Sequence, residues 1–492
     1  MVDSLDTDAL HTECGLFAYF NPYKKQPVDI AVNGLSLLQH RGQECAGISY
    51  SLDNKTIVVR KDFGFVDEIF SATQTLPQDN VPHKYSVVNN NYSNICVGHV
   101  RYSTSGQKRC YEHIQPLGNK TLVVAHNGNI PVLPTGYTHD TTYVFDYLAG
   151  NFEGKTKCFD TCDTCENDII SMSSGENGEN DDSVVMAKLL EFGKKIPGAY
   201  CLCIMTPTSL FAMRDRYGIR PLCLAKNSEG TWFVSSESVA FGDDAIRIRD
   251  IAPGEIIRFN QDGSTNSEFL PRVNQRAHCL FEHIYFLRKD TIADGIHVER
   301  FRKQCGNVLA KTETLLFDPD HTIVVGAPHT GIPVALEYAT FLGLPYKQVL
   351  NKIKKRRTFI LPNQRDEACD TIYQYHTYEI SNKHIVLIDD SIVRGTTLKS
   401  IAKQFWDRGA LSVHIRVASP PVVSECYFGI DIPTKTELIA ARLQSNTQAI
   451  IEEVRLTSLR YMTLDETLSA LNGNGFCTGC FSGKYPDGLL DW

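Results

Sequence analysis

The chain has 492 residues, with 49 Lys and Arg against 57 Asp and Glu, a formal net charge of −8. That length exceeds what one hydrophobic core holds and implies two large domains, and the acidic balance argues against a nucleic-acid or anionic-membrane partner. No apolar run approaches the roughly 20 residues of a membrane helix, the opening MVDSLDTDALHTE is acidic and unlike a secretory signal, and sixteen scattered cysteines in so large a chain read as reduced thiols of a cytoplasmic protein.

From Cys14 to about Glu268 the chain shows short β-rich runs at Leu16–Tyr19, Thr56–Val59, Ile95–Gly98, Thr121–Val124, Ala199–Met205 and Trp232–Ser235. Gly, Asn and Asp turns separate them, which predicts packed sheets. Helices are predicted at Val28–Gln39 and Val184–Phe192. Two polar stretches break the pattern, Ser71–Ser93 and Glu153–Asp182. Neither carries enough large apolar side chains to offset its ordering entropy, so both read as exposed insertions. The second holds Cys158, Cys162 and Cys165, readable as a metal site or as three thiols in a flexible loop.

From about Ala277 the rhythm changes. Helix-like Arg300–Leu316 leads to the apolar run IVVGA, a turn, and helix-like PVALEYATFLG. Later HIVLIDD runs through SIVRGTT into LKSIAKQFWDRG, and SVHIRVA follows. Strand–loop–helix repeated in this way implies an α/β domain with a mostly parallel sheet, whose ligands lie beyond the carboxyl ends of the strands.

The strongest local signal is the run from Val386 to Thr397. An apolar strand delivers Asp389 and Asp390, then Ser391, Ile392, Val393, Arg394 and Gly395 form a loop, and Thr396 and Thr397 open a helix. Small residues let backbone N–H groups close round a phosphate, and the helix N-terminus adds a favourable field. The two acids suit ribose hydroxyls or a hydrated magnesium ion. This run resembles the signature of type I phosphoribosyltransferases. The resemblance implies that Asp389 and Asp390 bind the ribose and Mg2+ of phosphoribosyl pyrophosphate, and that Ser391 to Thr397 hold its 5′-phosphate. The loop Ala327–Gly331 resembles the family's pyrophosphate loop, with Thr330 at the position of a magnesium ligand.

The amino-terminal half carries Cys14-Gly15, then His40-Arg41-Gly42-Gln43, Arg101-Tyr102-Ser103-Thr104, and His126-Asn127-Gly128-Asn129. Attack on an unactivated amide needs a strong nucleophile, for which a thiolate is apt. In this order the motifs resemble the glutaminase domain of the N-terminal-nucleophile amidotransferases, with an αββα sandwich fold. The resemblance implies Cys14 as nucleophile, Asn127 and Gly128 as oxyanion donors, Arg101 as the clamp for the glutamine carboxylate, and Asp182 as the acid for its α-ammonium. Met1 to Glu13 would be a propeptide whose removal frees the Cys14 amine.

Near the end stands Cys477-Thr478-Gly479-Cys480, with Cys279 and Cys426 upstream. Four thiolates suit a [4Fe–4S] cluster or a zinc ion, and the spacing alone does not choose. Over the whole chain the motifs resemble the amidophosphoribosyltransferase family in its propeptide-bearing, iron–sulfur form. That implies a glutaminase domain over residues 14–269, a transferase domain over 270–470, and a cluster-bearing segment over 471–492. It implies ligands at Cys279, Cys426, Cys477 and Cys480. It also implies glutamine and phosphoribosyl pyrophosphate as substrates of the first committed step of purine synthesis, ammonia channelled between the sites, purine nucleotides as feedback ligands, and a homo-oligomer.

The chain departs from the family pattern at His329, where the family has an acid, at Lys289, where it has proline, and in the substrate-closing loop. There Asn351-Lys-Ile-Lys-Lys-Arg keeps a basic character and the Arg357-Thr358-Phe359 ending, so Arg357 remains a candidate for phosphoribosyl pyrophosphate. Two other readings are a weakened sensor of phosphoribosyl pyrophosphate or nucleotides, and another glutaminase-coupled enzyme. The Asp389–Thr397 loop opposes the second, and an intact Cys14, Arg101, Asn127 and Gly128 oppose the first.

Overall fold

The computed structural model describes residues 14–70, 91–102, 110–150, 182–243, 245–352, 373–471, 473 and 475–489. The predicted propeptide, the Cys158–Cys165 run and Arg357 lie outside them.

The amino-terminal half begins with β1 (Gly15–Phe20), α1 (Asp29–Leu37), β2 (Cys45–Ser51), β3 (Ile57–Phe63) and β4 (Ile95–Arg101). Then come β5 (Leu117–Gly118), β6 (Val123–Asn129), α2 (Asp140–Ala149), α3 (Asp182–Lys195), β7 (Ala199–Met205) and β8 (Leu210–Arg214). It ends with β9 (Cys223–Asn227), β10 (Trp232–Ser235), β11 (Ala245–Asp250), β12 (Glu255–Phe259) and β13 (Thr265–Phe269). One sheet has the order β11-β9-β10-β1-β4-β2-β3 and the other β13-β12-β8-β7-β6-β5.

Alternation along the strands makes the layers. On β1, Leu16, Ala18 and Phe20 enter the core shared with Val123 and Ala125 of β6. Phe17 and Tyr19 point the other way and pack on Ala31 and Leu35 of α1. Behind the second sheet, Val124, Tyr200 and Leu202 meet Tyr143 and Val144 of α2 and Leu189 of α3. The result is a four-layer αββα sandwich.

The carboxyl-terminal half is built on α4 (Val298–Lys311), β14 (Thr322–Gly326), α5 (Gly331–Leu342), β15 (His384–Asp389), α6 (Thr396–Asp407), β16 (Ser412–Val417) and β17 (Ser458–Tyr461). Its sheet runs β14-β15-β16-β17, parallel throughout. Ile385, Leu387, Val413 and Ile415 supply one core, and Val386 and Ile388 a second on the opposite face. Burial on both faces is why these strands read as continuous apolar runs.

Two expectations need correction. The segment through Ser93 is not wholly an exposed insertion: Tyr92–Ser93 pairs with Gln26–Pro27, and the buried Ser93 hydroxyl bridges the carbonyls of Ser51 and Ile95. Helix α4 stops at Lys311, so Leu315 and Leu316 are exposed and not helical. Among the described residues no helix is long and apolar enough to cross a membrane.

Candidate functional site

Cys14 immediately precedes β1 and is 8% exposed. Its thiol donates to the Tyr102 carbonyl oxygen at 3.7 Å. Burial pushes the thiol up to about 11, although Arg101 and Arg220 pull it down. In the full chain the Cys14 nitrogen is a peptide amide, so this thiol has no amine of its own as base. Sheet register brings Arg101 near it: Gly15 pairs with Val100 on β4, and Arg101 is the next residue.

Asn127 and Gly128 sit on β6, opposite Cys201 and Tyr200 of β7. The buried Asn127 side chain is oriented from both ends. Its Nδ2 donates to Ser236 Oγ at 3.3 Å, and its Oδ1 accepts from Arg220 at 3.3 Å. Ser236 Oγ also accepts from the Leu16 backbone N–H at 3.0 Å, tying the asparagine to the strand that follows Cys14. Gly128 has a φ of +147° and lies against Ala199 backbone, so only glycine fits there. From the other half of the molecule, Gly429 packs on Gly128, and Asn129 Nδ2 donates to the Tyr427 carbonyl at 2.9 Å.

Asp182 does not join this group. It starts α3, pairs with Arg258 at 2.5 Å and accepts from Ser209 Oγ. Ser209 follows β7 at the Met205 end, whereas Asn127 faces Cys201. Four residues of strand separate the two ends, about 13 Å. The acid that does reach the site is Asp140, 3% exposed at the start of α2, whose charge is felt by the Cys14 thiol. Its Oδ2 is 3.5 Å from His126 Nδ1. The signal for it was present in His139-Asp140-Thr141-Thr142, an acid opening a helix shortly after the Asn127 motif.

The second cleft lies beyond the carboxyl ends of β14 and β15. Thr330, Asp389, Asp390, Ser391, Thr397 and Tyr285 line it. Asp390 is 6% exposed, accepts from Ser391 Oγ at 2.7 Å and from Thr330 Oγ1, and its N–H donates to Asp389 Oδ1 at 2.9 Å. Burial pushes its carboxyl up, against the pull of the two hydroxyls and Arg302. Gly395, at φ +82°, turns the chain into α6. The side chains of Ile392 and Val393 are buried in the core, so only their backbone is available to a phosphate. Arg394 turns to Glu437 at 3.4 Å.

The four candidate cluster cysteines arrive from three segments. His278–Cys279 pairs in parallel with Phe476–Cys477, which sets Cys279 opposite Cys477. Cys426 lies within electrostatic reach of both Cys477 and Cys480. Val423 and Ser424 N–H groups donate to the Cys480 carbonyl at 2.8 and 3.1 Å, and the Phe428 N–H donates to Cys426 Sγ at 3.4 Å. Among the described residues no three Cys, His, Asp or Glu side chains close round one metal ion. The donor type, thiols brought from three segments with an N–H aimed at one sulfur, suits a thiolate-bound metal group such as zinc or an iron–sulfur cluster.

Two buried arginines join the halves. Arg41 donates to the Cys14 carbonyl at 3.1 Å and pairs with both Glu237 and Glu282, each at 2.6 Å. Arg220, which orients Asn127, lies 3.4 Å from the same Glu282. Burial opposes ionisation of Glu237, but His40 and Arg41 outweigh it and hold that carboxyl well below the usual range.

Residues 166–243 match the model of a glutamine amidotransferase domain. The amidophosphoribosyltransferase of Methanocaldococcus jannaschii is 34% identical over 96% of this chain and 97% of its own length. That of Pyrococcus horikoshii is 34% identical over 99% of each. A solved glutamine phosphoribosylpyrophosphate amidotransferase from B. subtilis, complexed with ADP and GMP, superposes with a TM-score of 0.76 at 29% identity, over 97% of this chain and 98% of that one. A structure of the allosteric regulatory enzyme of purine biosynthesis gives 0.77 at 29% identity, over 96% of both chains. The chain belongs to the amidophosphoribosyltransferase family.

Proposed function

We propose that this chain makes 5-phosphoribosylamine, glutamate and pyrophosphate from phosphoribosyl pyrophosphate, glutamine and water. The observation that carries the reading is the direct packing of a glutaminase-type site on a phosphate-loop domain, with Gly429 against Gly128 and Glu282 under Arg41 and Arg220.

Removal of Met1 to Glu13 gives Cys14 a free amine, which takes the thiol proton as sulfur attacks the glutamine side-chain carbonyl. Asn127 Nδ2 and the Gly128 N–H receive the oxyanion, at about 2.7–4 kcal/mol of barrier per donor. Arg101 holds the substrate carboxylate and Asp140 its α-ammonium. Ammonia leaves, and water hydrolyses the thioester to glutamate. In the second cleft, ammonia attacks C1 of the ribose and the C1–oxygen bond to pyrophosphate breaks. Asp389 and Asp390 hold the ribose, the Ser391–Thr397 backbone holds the 5′-phosphate, and Arg357 is a further proposed ligand of phosphoribosyl pyrophosphate. Asp389, Asp390 and Thr330 would hold magnesium, which would supply charge neutralisation for the leaving pyrophosphate. Cys279, Cys426, Cys477 and Cys480 would hold a [4Fe–4S] group, which would supply a structural cross-link, since no step moves an electron.

Purine nucleotides are the proposed feedback ligands, the working form is a homo-oligomer, and the compartment is the cytoplasm. The test is glutamine-dependent pyrophosphate release from anaerobically prepared protein, with intact-mass analysis of the active species. Absence of release, or activity in protein that retains residues 1–13, overturns the corresponding step. The alternatives of a sensor and of a different glutaminase-coupled enzyme have no support in the relatives.

A further inference from the structure

Strand β5 pairs with β6 only at Val123 and Val124. Beyond it, the outer edge of β6 would expose the peptide groups next to Asn127, and side chains take the place of the missing strand. Gln115, 3% exposed, accepts from the His126 N–H through Oε1 at 2.6 Å. His99 Nε2 donates to the His126 carbonyl at 3.1 Å.

The other end of the same Gln115 amide reaches α2. Its Nε2 donates to Thr141 Oγ1 at 3.0 Å, and the Thr141 N–H donates to Asp140 Oδ1 at 2.8 Å. His126 closes the ring, with Nδ1 3.3 Å from Thr141 Oγ1 and 3.5 Å from Asp140 Oδ2. Displacing the Gln115 amide would take these partners from the buried His126 N–H and the buried Thr141 hydroxyl, so the link holds one arrangement. Gln115 is itself fixed from below, since its carbonyl oxygen packs on Gly47 where a side chain has no room.

We propose that Gln115 is a positioning residue for glutamine, setting the separation between the Asn127–Gly128 oxyanion donors and the Asp140 carboxylate. The inference rests on the role given above to Asp140. Glutamine presents its amide carbonyl at one end and its α-ammonium at the other, so a site must hold both partners at one spacing. Gln115 joins them with one side chain, its oxygen on the oxyanion strand and its nitrogen on the helix that carries the acid. Loosening that link lets the substrate bind by one end with the other misplaced, and misplacement by about 1 Å can cost on the order of a hundredfold.

The experiment is a double-mutant cycle on the full-length protein, with glutamate release from glutamine as readout and ammonia-dependent pyrophosphate release as the measure of intact folding. Gln115→Leu and Thr141→Val remove opposite ends of the same link. Each should raise the glutamine KM about tenfold or more while the ammonia reaction persists. In an Asp140→Asn background, Gln115→Leu should add little, because the group it positions is gone. Full additivity of the two changes, or a normal glutamine KM in Thr141→Val, overturns the inference. A normal KM in Asp140→Asn alone instead removes the role assigned to Asp140 and the inference with it.

Discussion

Arg41 and Glu282 meet across the boundary between the two halves as a forked ion pair, with Nη2–Oε1 at 2.6 Å and Nη1–Oε2 at 3.2 Å, and each side chain at most 1% exposed. Glu282 begins a π-helical turn, Glu282–Phe286, whose carbonyl end is gripped by Arg302 through the His283, Tyr285 and Leu287 oxygens. Tyr285 of that turn lines the second cleft. One wall of the transferase site is therefore anchored on a guanidinium that also touches the Cys14 carbonyl.

Leaving a buried charge wholly uncompensated costs about 3–5 kcal/mol. Without Glu282, Arg41 keeps Glu237 and Arg220 loses this carboxylate, so the cost is a part of that. Glu282→Gln should lower the melting temperature and weaken both half-reactions together. Unchanged melting, with both activities retained, would show that the pair is dispensable.

The apolar runs were legible because burial imposes their pattern: β14, β15 and β16 emerge close to where IVVGA, HIVLIDD and SVHIRVA lie. The reach of β6 was not. His126-Asn127-Gly128-Asn129 has turn composition, so the predicted strand stopped at Val124, yet pairing with β7 carries it through Asn129. Asp182 and Asp140 each open a helix, and local sequence does not separate them. What separates them is which end of the second sheet each helix begins at, a tertiary fact. Asp182→Asn should accordingly leave the glutamine KM unaltered.

Gly429 has a φ of +102°, and a Cβ there would stand 2.9 Å from the Gly128 carbonyl carbon. Gly429→Ala carries both a backbone penalty and a push against the oxyanion strand. Glutamine-dependent turnover should fall by about tenfold or more, with a smaller loss in the ammonia reaction. Equal losses in both would locate the damage in the transferase half.

Cys14→Ala should abolish glutamine use and leave activity with high ammonia, because only thioester formation needs the thiol. Asp390→Asn should impair both routes, since that carboxylate serves the shared electrophile. Loss of both activities in well-folded Cys14→Ala would refute this division of labour.

Glu313 pairs with Arg416 at 2.5 Å and accepts from the Tyr338 hydroxyl at 2.6 Å. Burial opposes its ionisation, but Arg416 and Tyr338 prevail and hold the carboxyl at about 2, against 4.5 ordinarily. A folded value below the unfolded one means stabilisation that is complete above about 4.5 and is lost as pH falls towards 2. Glu313→Gln should be less stable at neutral pH, and its deficit against the native protein should shrink across that window. A deficit independent of pH there would contradict the pairing.

A group joining Cys279, Cys426, Cys477 and Cys480 would bolt the carboxyl-terminal segment to the body of the molecule. Cys477 faces Cys279 in register, and Cys426 lies three residues before Gly429, which packs on Gly128. Loss of the group should therefore be felt in the glutaminase half as well as the tail. Metal binding of this kind contributes directly to folding, so the site and the local stability go together. Anaerobic protein should contain iron and acid-labile sulfide in equal amounts and absorb in the visible. Cys477→Ser should lose both and melt at a lower temperature. Oxidation should inactivate slowly, by loosening the Cys426–Gly429 loop, and glutamine use should fail before the ammonia reaction does. Stoichiometric zinc without iron would sink the cluster assignment, and unchanged metal content and melting in Cys477→Ser would remove that residue from the ligand set.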